Sequence, residues 1–448
     1  MAQADLQVSL ESTEGLKRRI KLSLPARSFE DRVADRTRVV AREARVNGFR
    51  PGKMPVKEAS RRFGASIRRE VAADLMQESF FQAAERESYD IAGPPVFDPP
   101  DPSAGGQFSF VATFEVMPEI EVADLSDIRL VRPEAEVTQD DIDGMIQTLR
   151  ERSRKWETAE RAAEEGDLIV ADFTVSGEAA GDPRIPGKDA RFIVGGGGVL
   201  EDIDQAVRGM SVGETKEFPA TVPEDSPDES LRGSELTCEA AVTAVEKPVL
   251  PPLDDAFFRT LGVREGGEPA FREEIRKDMQ ARLEAAIRQR MQEQVLEAIA
   301  DVHDFALPEA LVERERAQMS EDLRQRVGLP EQSEQLERIG ELVGTEAEKR
   351  VKTGLVMKAI VAQESLTLDA NRLRERIEGM AERYEKPQEV IEAYYGDERL
   401  LQSVEQTTLT EQVIDHVAGL AKVDTVQSTF QDVMSGKPAS QEGAEEQA

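Results

Sequence analysis

Apolar and polar positions alternate over residues 5–10 and again over 16–25 (LKRRIKLSLP), the period-2 signature of half-buried strands, with a turn near Gly15 joining them. Ser28-Phe29-Glu30-Asp31 then reads as a helix start, Ser28 the N-cap and an acid three residues on, ahead of Phe29, Val33 and Val40 at helical spacing. That helix is expected to stop near Asn47-Gly48. A loop punctuated by Gly and Pro, Gly48 to Pro55, leads into Val56–Phe63 and a longer helix through Ile67, Val71, Leu75, Met76 and Phe80. Residues 91–106 are rich in Pro and Gly, and strict alternation from Phe108 to Val116 predicts a third strand that completes the sheet. Segregated strands and helices predict an α+β domain over residues 1–121.

The period changes twice beyond that point. Residues 122–163 combine an extended piece, IRLVRPEAEV, with a helix over Thr138–Arg154 whose start Thr138-Gln139-Asp140-Asp141 offers a cap, and read as a connector. Short β-like runs follow (DLIVADFTVSG, DARFIVGG, ETKEFPATV, ELTCEAAVTAVEK) with one short helix at Asp202–Arg208, giving a β-rich domain over 164–247. Pro248, Pro251 and Pro252 punctuate the next boundary. Helical patterns then dominate: Glu268–His303, Pro308–Val327, Ser333–Glu364, Asp369–Tyr384, Pro387–Tyr395 and Asp397–Leu420, an all-α domain over 248–432. Residues 433–448, nearly without large apolar side chains, are expected to be disordered. The chain therefore reads as a multidomain α+β protein, and 448 residues suit about three cores.

Composition changes this picture in its electrostatics. The net charge of −32 argues against a nucleic-acid partner, yet residues 1–75 hold 17 Lys plus Arg against 10 Asp plus Glu, a local +7 that leaves −39 for the remainder. A basic end on an acidic body suits local docking onto a polyanion; a solvated basic helix face is the alternative. The first residues lack a basic segment followed by an apolar one, and no run approaches the roughly 20 apolar residues of a bilayer span, so neither export nor membrane insertion is expected. Cys238 is the single cysteine, which excludes an intramolecular disulfide and a cysteine metal cluster and fits a reducing cytoplasm.

The segment Gly48-Phe49-Arg50-Pro51-Gly52-Lys53-Met54-Pro55 places two cations and an aromatic on a constrained turn: Arg50 can fork onto phosphate or carboxylate, Lys53 adds a point charge, and Phe49 offers an apolar or stacking contact. An ordinary solvated turn would have the same ingredients. GFRPGKMP after a capped helix resembles the ribosome-binding signature of the trigger factor family, and the order of elements around it matches over essentially the whole chain. The resemblance implies an N-terminal α+β ribosome-binding domain, an FKBP-like β-rich middle domain and an all-α C-terminal domain onto which the connector 122–163 docks. It assigns Gly48, Phe49, Arg50, Gly52, Lys53 and Pro55 to contact with the large ribosomal subunit, protein and rRNA, beside the tunnel exit. Pro51 stands where relatives often carry a basic residue.

Residues 166–247 resemble FKBP-type prolyl isomerases through Gly166-Asp167, Asp172-Phe173-Thr174, Arg191-Phe192-Ile193-Val194-Gly195 and Gly209-Met210 with Gly213-Glu214. Rotation about an X-Pro bond crosses a barrier of about 18–20 kcal/mol and needs a dry pocket rather than a nucleophile or metal. By the resemblance that pocket is lined by Phe173, Phe192, Val199, Leu200 and Ile203. Ile203 replaces an expected aromatic, the tyrosine position falls near Ser226-Pro227, and Cys238 replaces a phenylalanine, so reduced isomerisation is expected. Phe173 and Phe192 serve equally well as plain core residues.

Other signals carry less. Gly195-Gly196-Gly197-Gly198 lacks the remainder of any phosphate-loop motif and reads as a turn at the pocket rim. His303 and His416 are isolated, so no metal is expected. Acid pairs such as Asp254-Asp255 are commonplace among 89 acids. Met279, Met291, Met319, Met357 and Met380 lie among C-terminal Leu, Ile and Val and suit both core and promiscuous contacts. The reading is an ATP-independent cytoplasmic chaperone for nascent unfolded polypeptides, using no cofactor and binding neither membrane nor DNA. The resemblance also implies a homodimer off the ribosome. A free prolyl isomerase with accessory helices and a coiled-coil scaffold are the competing classes; sustained heptads for the latter are missing.

Overall fold

The computed structural model describes residues 6–44, 54–100, 106–176, 185–223, 232–328 and 343–437. The chain divides into two compact units, each discontinuous: Met1–Arg132 with Arg288–Thr425, and Pro133–Ile287 with Val426–Ala448.

In the first unit, strands β1 (Gln7–Glu14) and β2 (Lys17–Pro25) form the expected hairpin, with Gly15 at φ +56° in the turn. β4 (Gln107–Glu115) pairs antiparallel with β2, and a two-residue strand β3 (Val96–Phe97) adds a fourth member that periodicity does not reveal. Register sets Ile20 opposite Ala112, Leu22 opposite Phe110 and Leu24 opposite Phe108, all six buried on one face. Helices α1 (Ala26–Glu43) and α2 (Val56–Arg86) cover that face through Phe29, Val33, Ile67, Val71, Leu75 and Phe80. Phe29 stacks on Phe108 at 4.7 Å between ring centres, and Phe80 meets Phe114 edge-on at 5.0 Å.

Two expectations are corrected here. Ser28 is not the N-cap: α1 starts at Ala26 directly after Pro25, without a side-chain cap, and the Ala26 N–H donates to the carbonyl of Gly106 in the turn before β4 at 3.1 Å, which satisfies one of the free N–H groups at the helix start. The segments Val56–Phe63 and Ile67–Phe80 belong to one uninterrupted helix.

The helical part of this unit holds the end of α6 (Gly267–Asp301), α7 (Glu309–Val327), α8 (Gly344–Gln363), α9 (Ala370–Ala381), α10 (Pro387–Gly396) and α11 (Glu398–Leu420). The expected helix Ser333–Glu364 begins at Gly344 among the described residues, its first part lying outside them. Leu125, Ile128 and Leu130 pack with Val295, Ile299, Val356, Ile360, Val413, Ile414 and Val417, so this stretch of the connector is gripped by three helices. Val131 and Gln294 exchange two hydrogen bonds of 2.8 Å. Buried His303 joins the grip: Nδ1 lies 2.6 Å from the Ile299 carbonyl and Nε2 accepts the Ala123 N–H at 3.0 Å, which fixes the proton on Nδ1. Glu115 at the end of β4 accepts the Ala310 N–H at 2.9 Å, and Lys17, its cross-strand neighbour, pairs with Glu309 at 2.6 Å, so both engage the first turn of α7. Gly93 sits so close to Ala310 that a Cβ on it would fall 2.4 Å from the Ala310 Cβ.

The second unit contains α3 (Gln139–Arg152), started by the expected Thr138 with a reciprocal Thr138–Asp141 capping box. Its Ile142 and Ile146 pack with Phe257 and Phe258 of α5 (Asp255–Thr260), with Phe271, Ile275 and Met279 of α6, and with Phe430. A five-stranded antiparallel sheet follows: β6 (Lys155–Thr158), β7 (Leu168–Ser176), β8 (Ile185–Ile193), β9 (Thr215–Thr221) and β10 (Glu235–Val249), with α4 (Glu201–Val207) close to the expected 202–208. β10 carries β7 on one edge and β9 and β6 at the two ends of the other. A register shift between Val242 and Ala244 moves its buried side from Val242 to Val245.

Near the C-terminus the reading needs two further corrections. β11 (Lys422–Gln427) lies beside β5 (Arg129–Glu134), in a stretch read as purely helical. The short helix α12 (Phe430–Met434) buries Val433 at the start of the segment read as disordered. β11 depends on partners nearly 300 positions away in sequence, and Phe430 of α12 packs on the cluster drawn from residues 142–279, which local pattern does not register.

Replacing His303 with Ala leaves the Ala123 amide without its acceptor. A cost of about 1–3 kcal/mol is expected, with exchange of the Ala123 amide accelerated about tenfold or more in hydrogen–deuterium exchange. Unchanged protection would show that His303 is dispensable to the grip.

Candidate functional site

The predicted docking residues Gly48, Phe49, Arg50, Gly52 and Lys53 lie outside the described residues; the base from which they spring does not. Met54 is buried with Ala41 and Ala59, next to Ala44 and Phe63, so the last turn of α1 and the first turn of α2 close over one small apolar cluster. Pro55, also predicted, is exposed and serves as the N-cap of α2, its carbonyl accepting from Glu58 N at 3.0 Å and Ala59 N at 3.1 Å. Ion pairs bind the two helices together: Arg32 with Glu78 at 2.5 Å, Arg36 with Glu70 at 2.6 Å, and Arg68 with Glu30. The guanidinium of Arg68 also lies 5.0 Å above the Phe29 ring. The Arg68 and Arg32 hydrogen bonds hold the carboxyls of Glu30 and Glu78 below the ordinary glutamate range.

The predicted pocket residues come together in the strand-rich sheet. Phe173 on β7 and Phe192 on β8 face each other at 5.9 Å between ring centres, tilted by 46°. Phe192 is buried, whereas Phe173, Val199, Leu200 and Ile203 are half-buried and pack against the same core. Phe218 and Cys238 are sealed beneath them, and burial, followed by the nearby Asp202 charge, pushes the Cys238 thiol up. Asp202 itself accepts the Thr221 N–H at 2.8 Å, tying α4 to β9. The segment around Ser226-Pro227 lies outside the described residues.

Sequence reasoning missed the part played by two buried carboxylates in the same unit. Asp167 accepts two hydrogen bonds from Arg161, at 2.6 and 3.0 Å, and one from Glu164 N at 2.8 Å. Asp204 on α4 accepts the Gly195 N–H at 2.6 Å with one oxygen and holds Arg208 at 2.9 and 3.2 Å with the other. This contact comes first among those that raise the Arg208 pKa. Asp167 lies in a segment that carries the FKBP resemblance, though its role there is not legible; Asp204 does not stand out among 89 acids, and its place four residues before Arg208 is the faint signal for it.

The methionines divide. Met279 is fully buried, Met291 and Met357 pack half-buried against the helical core, Met319 is half-buried on α7, and Met380 is exposed. Along α7 no residue is buried, and Leu311, Val312 and Met319 remain half-open. Val327, Tyr395 and Leu400 are exposed on the helices of the same unit, and Tyr384 on the turn between α9 and α10. Between α9 and α10, an open groove of about 490 Å³ is lined by residues including Arg374, Glu378, Ile391 and Tyr395. Among the described residues no helix is long and apolar enough to cross a membrane.

Comparison with known proteins places these features. Residues 6–149 match the family described as bacterial trigger factor protein, 269–419 match its C-terminal family, and 159–244 match the FKBP-type peptidyl-prolyl cis-trans isomerases. Trigger factor of Alcanivorax borkumensis is 36% identical over 97% of this chain and 99% of its own length. That of Saccharophagus degradans is 37% identical over 98% and 100%. A solved structure described as "Promiscuous Substrate Recognition in Folding and Assembly Activities of the Trigger Factor Chaperone" shares the fold with a TM-score of 0.50 at 16% identity, covering 95% of this chain and 100% of that one.

The helix pair α1 and α2 is expected to weaken in acid. With folded pKa values depressed, Glu30 and Glu78 contribute stability that is fully present above the unfolded glutamate pKa of about 4.3 and is lost as pH falls through the folded values. Protection of α1 and α2 in hydrogen exchange, corrected for intrinsic rates, is therefore expected to fall from pH 6 to pH 3 more steeply in the wild type than in the double variant Glu30→Gln, Glu78→Gln. Equal slopes would remove these pairs from the account.

Proposed function

The chain belongs to the bacterial trigger factor family, and from that premise we propose how its parts divide the work of a ribosome-associated, ATP-independent chaperone with an FKBP-type domain. Residues 1–121 form the ribosome-binding domain, with Phe49, Arg50 and Lys53 contacting protein and rRNA of the large subunit at the tunnel exit, within the segment that Gly48, Gly52 and Pro55 shape. The clamped helices α1 and α2 supply a firm base for that segment, and the Met54 cluster fixes where it begins and ends. Residues 122–163 are the connector, 164–247 the FKBP-type domain, 248–432 the chaperone domain and 433–448 the tail.

The observation that carries the chaperone reading is α7, a 19-residue helix without one buried residue that nevertheless keeps Leu311, Val312, Met319 and Val327 along its length. A helix that leaves every apolar side chain at least partly open has gained little from them, so they remain available to an unfolded client. Met380, Tyr395 and Leu400 extend the same property to the later helices, and Tyr384 to the turn between two of them. Scattered aromatic and thioether contacts suit varied sequences better than one ligand. Off the ribosome these surfaces would be partly covered in a homodimer, and the cytoplasm is the site of action.

In the FKBP-type domain, Phe173, Phe192, Val199, Leu200 and Ile203 form the floor and walls of the proline pocket. With isoleucine at 203 and a buried thiol at 238 in place of rings, the pocket desolvates an X-Pro amide less completely, so isomerisation is slow.

Cosedimentation with 70S ribosomes tests the docking assignment: saturable binding by the wild type and its loss in the Phe49/Arg50/Lys53 triple alanine variant are expected. Binding retained by the variant would move the docking surface elsewhere. Acceleration of a proline-limited refolding reaction by the full chain is expected to fall roughly tenfold or more below that of a family member with the aromatic pocket complete. Equal acceleration would refute the slow-isomerase assignment.

A further inference from the structure

The pocket walls Val199 and Leu200 stand at the end of a segment with little to hold it. Gly195, Gly196, Gly197 and Gly198 precede them, Gly195 and Gly197 adopt φ of +77° and +69°, and residues 195–198 are exposed. Four successive glycines lose more backbone entropy on ordering than any other run of that length, so something must fix them for the walls to have a defined place. Before the segment, Val194 is pinned by its N–H to the Asp167 carbonyl and its carbonyl to Gly166 N, both 2.9 Å. After it, α4 begins with Asp204 N donating to the Leu200 carbonyl at 3.0 Å.

One side chain joins the two ends. The Asp204 carboxylate, with 12% of its side chain exposed, accepts the Gly195 N–H at 2.6 Å while its other oxygen holds Arg208. Arg208 in turn reaches Glu165 at 3.3 Å. Gly195 is seated inside this network: a Cβ on it would lie 3.0 Å from Glu165 Cγ and 3.3 Å from Arg208 Nη2. The preceding residue on α4 is Ile203, itself part of the pocket.

We propose that Asp204 is the positioning residue of the proline pocket, closing the Gly195–Leu200 segment onto α4 so that Val199 and Leu200 are held against Ile203. The inference rests on the reading of this site as an X-Pro pocket, but the staple itself is independent of it. Asp204 touches no substrate; it acts through Gly195. Because the walls bind the proline ring in ground state and transition state alike, loss of the staple raises KM and leaves kcat little changed.

The test uses the full chain with Asp204→Ala and the near-isosteric Asp204→Asn, which keeps one acceptor but turns an amide donor toward Arg208. Hydrogen exchange across residues 195–200 is expected to accelerate about 10- to 100-fold in Asp204→Ala, as for loss of a hydrogen bond to a charged group, and less in Asp204→Asn, with β10 unaffected. In the proline-limited refolding assay KM is expected to rise about tenfold with kcat within about twofold. Unchanged exchange at 195–200 overturns the proposal whatever the activity, as does a fall in kcat at constant KM. Accelerated exchange at 195–200 in a chain whose wild type shows no isomerisation supports the staple and refutes the isomerase reading instead. Should Asp204→Ala fail to fold, Asp204→Asn decides by the same two readouts.

Discussion

Residues 122–131, held between the end of α6, α8 and α11, are the contact on which the rest of the first unit depends. Leu125, Ile128 and Leu130 bury their side chains among helices drawn from residues 288–425, and each such burial contributes about 1.5–3 kcal/mol. Backbone groups that this would strand are met by Gln294 and His303, side chains placed to answer one N–H and one C=O of Val131 and the N–H of Ala123. Apolar burial supplies the energy and the polar pairs supply the register. Neither would be sufficient alone, since a greasy segment between helices can slide, whereas a paired one has a single position.

Charge is arranged on the same principle of local satisfaction. Residues 1–75 are the basic end of an acidic chain, yet the arginines Arg32, Arg36 and Arg68 are each engaged with a glutamate on the facing helix. Such half-exposed pairs add modest stability. Their larger effect is to direct where positive potential is left over, and to keep α1 and α2 in fixed relation at the point where Met54 closes the base of the predicted docking segment.

The sequence made some levels legible and hid others for identifiable reasons. Alternation revealed β1, β2 and β4, and Thr138 announced α3, because both signals are local. Ser28 misled because the helix starts two residues earlier, directly after β2, where the Gly106 carbonyl, far away in sequence, takes the first N–H. The strands β3, β6 and β11 are short and owe their existence to partners elsewhere in the chain, so no window could contain the reason for them. For the pocket, family resemblance named the hydrophobic walls that the structure then gathers into one cluster, while the carboxylate that joins Gly195 to α4 was lost among many acids. Hydrophobic pattern identifies what is buried; it says little about which polar group holds a flexible segment in place.

The discontinuity of the first unit has a consequence for how the chain comes into being. Its opening 132 residues are completed by residues 288–425, so the core around Leu130 lacks Val413, Ile414 and Val417 until nearly the entire polypeptide has been synthesised. Contacts of such sequence separation form late and slowly. For most of its own translation, this chain therefore exposes an unfinished apolar surface at the tunnel exit, the condition that sister molecules already seated there would be suited to shelter.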